Sequence, residues 1–137
     1  MPQRIRRVEY FSTTIDDKTG QGYWLLARLK RREVNLLAFN AFPYKPGASR
    51  LDFFPDNAEK LIKAAGEINV KLNGPKRAFL VQGEDRIGIL ADVFEKLYEA
   101  NINVHAINCV CDDRGGYAFV LWVISGHYED AARALGV

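Results

Sequence analysis

The clearest pattern of apolar and polar positions lies in the second half of the chain. Residues 78–82 form a short apolar run of strand composition, and Gly83-Glu84-Asp85-Arg86-Ile87-Gly88 follows as a glycine-bounded turn. Beyond it Ile89, Leu90, Val93, Phe94 and Leu97 fall on one face of a 3.6-residue period, which predicts a helix ended near Asn101. Residues 102–111 read as a second strand, 112–116 as a turn and 117–124 as a third strand. A second helix is predicted over Tyr128–Leu135. The order is strand, helix, strand, strand, helix.

The first half repeats this order. A shift of 68 residues carries Asp17 onto Asp85, Lys18 onto Arg86, Gly20 onto Gly88 and Leu29 onto Leu97. The same shift carries Asn35 onto Asn103, Ala38 onto Ala106 and Asn40 onto Asn108, without a gap, so two copies of one supersecondary unit are expected. In the first copy the strand is placed at 8–14, the helix at 21–32, and a hairpin at 36–44 and 50–54 turned by Lys45-Pro46-Gly47. Asp56 is expected to cap a second helix reaching Ala65, and 68–72 to form a fourth strand. Asn73-Gly74-Pro75 then reads as the turn between copies. The equivalent fourth strand of the second copy maps onto positions 136–140, past Val137. Its open edge is therefore expected to pair with the first copy or with another chain, since a bare edge invites aggregation.

Leu36, Leu37, Ala38, Phe39, Ala41 and Phe42 are apolar on both alternating faces, as are 118–124. A sheet with helices on one side normally alternates, so both faces here call for cover by a second module or a second chain. Tyr23 and Trp24, on the side of the first helix away from its apolar face, add to that expectation.

Composition changes the picture little. Hydrophobic residues make up 48% and charged residues 26% of the 137, which excludes disorder. A net charge of +2 gives no electrostatic reason to invoke nucleic acid. The basic clusters Arg4, Arg6, Arg7 and Lys30, Arg31, Arg32 suit a solvated strand start and a helix C-terminus. Cys109 and Cys111 lie in one strand-like run, too close in sequence for a disulfide framework, and are read as buried, reduced thiols. A cytoplasmic protein is the simplest expectation. No apolar run approaches the roughly 20 residues that span a bilayer, and no signal-peptide core is present.

Asp85-Arg86-Ile87-Gly88-Ile89-Leu90, followed by Ala100-Asn101-Ile102-Asn103-Val104, resembles the ACT domain family, with its D/N-R-P-G-x-L turn and G-x-N-I strand entry. The resemblance covers about 77–135. The first copy, through Asp17-Lys18-Thr19-Gly20 and Val34-Asn35-Leu36, resembles the family less closely. Ile87 and Thr19 stand where the family often has proline, and Gln21-Gly22 replaces Ile89-Leu90.

The resemblance implies an α+β chain of two ferredoxin-like βαββαβ modules with antiparallel sheets, at 1–73 and 74–137, the second lacking its last strand. It also implies regulation by an amino acid or similar small metabolite bound at a domain interface, with no catalysis. Physically, a glycine at a strand-to-helix turn lets a ligand approach the backbone. The first-turn amides and the positive dipole end suit a carboxylate, and a nearby aspartate suits an ammonium. Carried across residue by residue, the family pattern nominates Asp85, Ile87, Gly88, Ile89 and Leu90 with Asn35, and Asp17, Gly20 and Gln21 with Asn103. The competing reading of the same fold is a ligand-free oligomerisation or protein-docking module, as a homo-oligomer or with a partner protein.

Other chemistry finds little support. His105 and Cys109 would lie roughly 13 Å apart along a strand, and two thiols alone do not make a four-coordinate zinc site. No metal and no cofactor are expected. Val81-Gln82-Gly83 is similar to the phosphate loop of acylphosphatases, but the arginine expected just downstream is missing. An RNA module of this architecture would need exposed strand aromatics within a basic run, and Phe39, Phe53 and Tyr117 lack that setting. Neither nucleic acid nor a membrane is an expected partner.

Overall fold

The computed structural model describes residues 3–137. It is α+β with antiparallel strands, and the elements run β1 (Arg4–Asp16), α1 (Gln21–Arg31), β2 (Leu36–Lys45), β3 (Ala48–Pro55), α2 (Ala58–Glu67) and β4 (Asn73–Glu84), then α3 (Ile89–Glu99), β5 (Val104–Cys111), β6 (Gly116–Val123) and α4 (Tyr128–Leu135). Two compact units result: Glu9–Lys76, and Arg77–Val137 together with the segment ending at Val8. They differ from the contiguous halves 1–73 and 74–137 because β1 and β4 each contribute residues to both.

In the Glu9–Lys76 unit the strands lie in the order β2-β3-β1-β4. Antiparallel pairing sets Phe39 opposite Phe53 and Phe53 opposite Phe11. This places Phe11, Leu51 and Phe53 on one face, where Leu25 and Leu29 of α1 and Leu61 and Ala64 of α2 close the core. The period-2 and period-3.6 patterns thus meet in a single cluster. Asn57 caps α2, its side chain accepting from the Lys60 amide at 3.1 Å. The expected cap, Asp56, instead accepts a hydrogen bond from Asn35.

The expected fourth strand at 68–72 is not a strand. Ile68, Val70 and Leu72 do pack on the core, which explains their apolar character without a ladder. The strand begins instead at Asn73, so Asn73-Gly74-Pro75 opens β4 and is not a turn between copies. Gly74 has φ +141, and a Cβ there would stand 2.9 Å from the Tyr10 carbonyl and 3.0 Å from Phe11 Cδ2. Only glycine lets β4 lie this close to β1. Gly74→Ala is expected to cost about 2–3 kcal/mol in urea unfolding of the full chain. Gly66→Ala, in α2 with nothing within 4 Å of its Cβ, should be neutral or stabilising. Equal effects of the two would refute the close-approach argument.

The other unit has the order β1-β4-β6-β5. Phe79 faces Leu121 across β4 and β6, and Cys109 faces Phe119 across β5 and β6. Ile89, Val93 and Leu97 of α3 and Tyr128, Ala131, Ala132 and Leu135 of α4 cover the sheet. The strand place on the far side of β4 is taken by the start of β1. Ile5 packs on this core, Gln3 donates to the Tyr117 hydroxyl at 2.7 Å, and Arg7 pairs with Glu129 at 3.0 Å. No strand follows α4 among the described residues.

Candidate functional site

The repeat is reproduced in three dimensions down to single backbone bonds. Gly20 and Gly88 both precede their helices in the left-handed region, with φ +92 and +84. Gln21 donates to Lys18 as Ile89 does to Arg86, and Trp24 donates to Gly20 as Asp92 does to Gly88. The Asp17 amide donates to the Gly47 carbonyl at 2.9 Å, and the Asp85 amide to the Gly115 carbonyl at 2.7 Å. The same 68-residue shift relates Gly47 to Gly115, so each turn is tied to the tip of its own hairpin. No side chain caps either helix N-terminus.

Asp17, Gln21, Asp85 and Leu90 are exposed, and Ile87 protrudes fully from the turn. Ile89 behaves differently: its side chain is buried in the core, so only its backbone faces the turn. Asn35 donates to Asp56 at 3.2 Å and accepts the Asp56 amide through its carbonyl. Asn103 is exposed in an open, largely apolar groove of about 690 Å³ with Phe94, Tyr98, Ile102, Val104 and Ile107. Within one unit the glycine turn and the strand-two asparagine lie at opposite ends of the helix, roughly 16 Å apart by helical rise. A single module therefore does not bring Gly88 and Asn103 together.

Beside the 85–90 turn lies a smaller groove of about 360 Å³ lined by Gln3, Arg86, Asp92, Glu95 and Lys96. Arg86 and Asp92 pair at 2.6 Å. Both signs of charge line this groove.

Sequence reasoning missed the neighbours of Asp85. Cys109 and Cys111 are exposed, not buried as expected. They occupy the second half of β5, the outermost strand of its sheet, whose residues from Asn108 onward are exposed, whereas Val104 and Ile107 pack on the core. Desolvation and the nearby Asp85 carboxylate raise the Cys109 thiol above its usual range. Desolvation and a hydrogen bond to Asp85 raise Cys111. Both thiols therefore stay protonated at neutral pH. The signal available beforehand was the single-residue spacing of the pair on a strand that the repeat places at a sheet edge.

The aromatics considered for RNA are not displayed for stacking. Phe53 and Tyr117 are buried and Phe39 packs on the core. No helix among the described residues is long and apolar enough to cross a membrane.

The duplicated order, the helix-on-sheet layering and the paired glycine turns define a small α+β module present twice in the chain. Residues 78–136 match the ACT domain family. The fold is shared with a protein of Bacteroides thetaiotaomicron, BT0572, at TM-score 0.78 and 15% identity over 96% of this chain and 88% of that one. The regulatory subunit of aspartate kinase from Thermus thermophilus matches at TM-score 0.65 and 14% identity, over 98% and 94% of the two chains. Its counterpart from Thermus flavus gives 0.62 and 15%, over 98% and 94%. No curated protein sequence matches the chain.

Proposed function

We propose that this chain is a regulatory protein that binds an amino acid or a similar small metabolite and carries out no catalysis. The observation that carries the reading is the duplicated glycine turn, held by the same backbone bonds in both copies and left uncapped by side chains. A helix start of this kind receives a carboxylate, and Asp85 or Asp17 beside it receives an ammonium. The charged groove at Arg86, Asp92 and Lys96 suits such a zwitterion. The ligand lies at an interface between modules, where the strand-two asparagine, Asn35 or Asn103, meets the turn of a different module. Its regulatory output is differential affinity for two packings of the modules. The aspartate kinase regulatory subunits with this fold support the regulatory role.

A thermal-shift screen against amino acids tests this. A ligand at a hundred times its dissociation constant adds about 2.7 kcal/mol, which raises the unfolding midpoint measurably. Asp85→Ala and Asn35→Ala should each reduce the shift while leaving the unliganded midpoint nearly unchanged, since both side chains are exposed. No shift at millimolar concentrations across the panel refutes the ligand reading. It would favour the docking module, for which the exposed Tyr23, Trp24 and Tyr98 speak.

A further inference from the structure

The apolar face of α3 is wider than its own module covers. Ile89, Val93 and Leu97 are buried, but Leu90 and Phe94 are each 37% exposed and Tyr98 is 81% exposed. Ile87, in the turn before the helix, continues the same line and protrudes fully. These residues form a second apolar stripe beside the buried one. Phe94 and Tyr98 border the open groove of about 690 Å³, whose other wall is the start of β5 with Val104 and Ile107.

β5 is an outer strand, so one row of its backbone amides and carbonyls has no neighbouring strand among the described residues. The other outer strand, β2, carries the usual protection: Pro43, Lys45 and register shifts at both ends. β5 carries little. After one shift between Val104 and Ala106, residues 106–111 run in regular register against β6 with neither proline nor a charged side chain. Val110 in this run is 67% exposed. A regular uncharged edge beside an apolar helix stripe calls for a partner, since bare it invites aggregation.

We propose that this surface is a homodimer interface, in which β5 pairs antiparallel with β5 of a second copy across a two-fold axis normal to the sheet. That symmetry keeps the helices on one side, so α3 meets its own copy through Leu90, Phe94 and Tyr98. The occupant is a second copy because the edge is complementary to itself. With the axis at Asn108, Ile107 stands opposite the partner's Cys109 on the helix side, and Ala106 opposite the partner's Val110 on the other. No charged side chain lies in this run. At its ends His105 comes beside the partner's Asp112 and the partner's Asp113, an imidazole N–H against carboxylates, and the two-fold makes the contact twice. One edge meeting the same edge closes at two chains and does not propagate. The interface forms without a ligand, so its test is separate from that of the amino-acid reading.

The test is sedimentation equilibrium of the full, ligand-free chain up to tens of micromolar, where a monomer–dimer equilibrium is expected. Val110→Lys on the strand and Tyr98→Lys on the helix should each raise the dissociation constant by on the order of 100-fold, because each charge enters the interface twice. Ile62→Lys, at an exposed apolar residue of α2, should leave it unchanged. All three side chains are exposed, and circular dichroism matching the parent separates lost pairing from lost fold. In a Cys109→Ser, Cys111→Ser background, Asn108→Cys should cross-link under mild oxidation, since position 108 faces itself across the axis. Val110→Cys should not, because its two copies stand roughly 13 Å apart along the strands. Four outcomes overturn the proposal: a monomer throughout, which would leave the edge to a foreign strand; assemblies larger than a dimer; no weakening by either lysine; or cross-linking at 110 in preference to 108.

Discussion

Deleting residues 1–8 will destabilise the Arg77–Val137 part of the chain by about 3–5 kcal/mol. The sum rests on one partly buried isoleucine at about 2 kcal/mol and a few strand and side-chain hydrogen bonds at about 1 kcal/mol each. The described residues of that segment supply Ile5 to the core, Gln3 to the Tyr117 hydroxyl, Arg6 to Gln82 and Arg7 to Glu129 and the Val137 carbonyl. They also shield the β4 backbone from pairing with other chains. The two tryptophans allow a clean measurement, because Trp24 lies in α1 and Trp122 in β6. In urea the Trp122 transition of a Trp24→Phe chain should fall by roughly 1–3 M on deletion, given ordinary m-values. The Trp24 transition of a Trp122→Phe chain should move much less, because β1 from Glu9 onward keeps its pairing with β3. An unmoved Trp122 midpoint would mean that the segment before Glu9 contributes nothing to that sheet.

Phe79→Ala is expected to cost a further 3–5 kcal/mol, about the cost of truncating a fully buried aromatic ring. Phe79 is 0% exposed and stacks on Tyr128, with ring centroids 4.5 Å apart and an interplanar angle of 8°. Tyr128 in turn donates to the Ala78 carbonyl at 2.9 Å and lies under the Arg77 guanidinium at 4.2 Å. Removing one ring therefore loosens the N-terminus of α4 as well as opening a cavity. Phe79→Leu should cost appreciably less, since most of the volume remains. Hydrogen exchange should show α4 amides losing protection first, and retained α4 protection in Phe79→Ala would contradict the coupling. Acid should act on the same helix. Desolvation pushes the Glu129 carboxyl up, but Arg7 and Arg77 outweigh it and hold the group below its ordinary range. Its stabilising contribution is present above the unfolded carboxylate pKa and is lost as pH falls through the folded one. With both partners about half exposed, solvent screening keeps that contribution small.

Much of this architecture was legible because its signals are local. The face of α3 is written in Ile89, Val93 and Leu97, and the left-handed turn residues Gly20 and Gly88 sit where the repeat places them. The misplaced fourth strand and turn share one cause, which is that β4 gains its strand character from a distant neighbour. Asn73-Gly74-Pro75 has turn composition, yet Tyr10 and Phe11 hold it extended. Ile68, Val70 and Leu72 alternate as a strand would, yet their partial burial comes from packing on the core without a ladder. The cysteines looked buried because an apolar run was assumed to have cover on both sides, and β5 has none on its outer edge. Of the nominated turn residues Asp85, Ile87, Gly88 and Leu90 are exposed, whereas the Ile89 side chain serves the core.

The sharing of β1 and β4 between the units also bears on how the chain comes into being. β1 is synthesised well before Tyr117 and Glu129, which its residues Gln3 and Arg7 engage across more than a hundred residues of chain. That segment must stay unpaired and soluble until those partners have been made, and its arginines at positions 4, 6 and 7 help it do so. The Glu9–Lys76 unit can close once Lys76 emerges, whereas the second must close a loop of over a hundred residues. A slower folding phase for the second unit is the consequence, set by chain topology and not by any single weak contact.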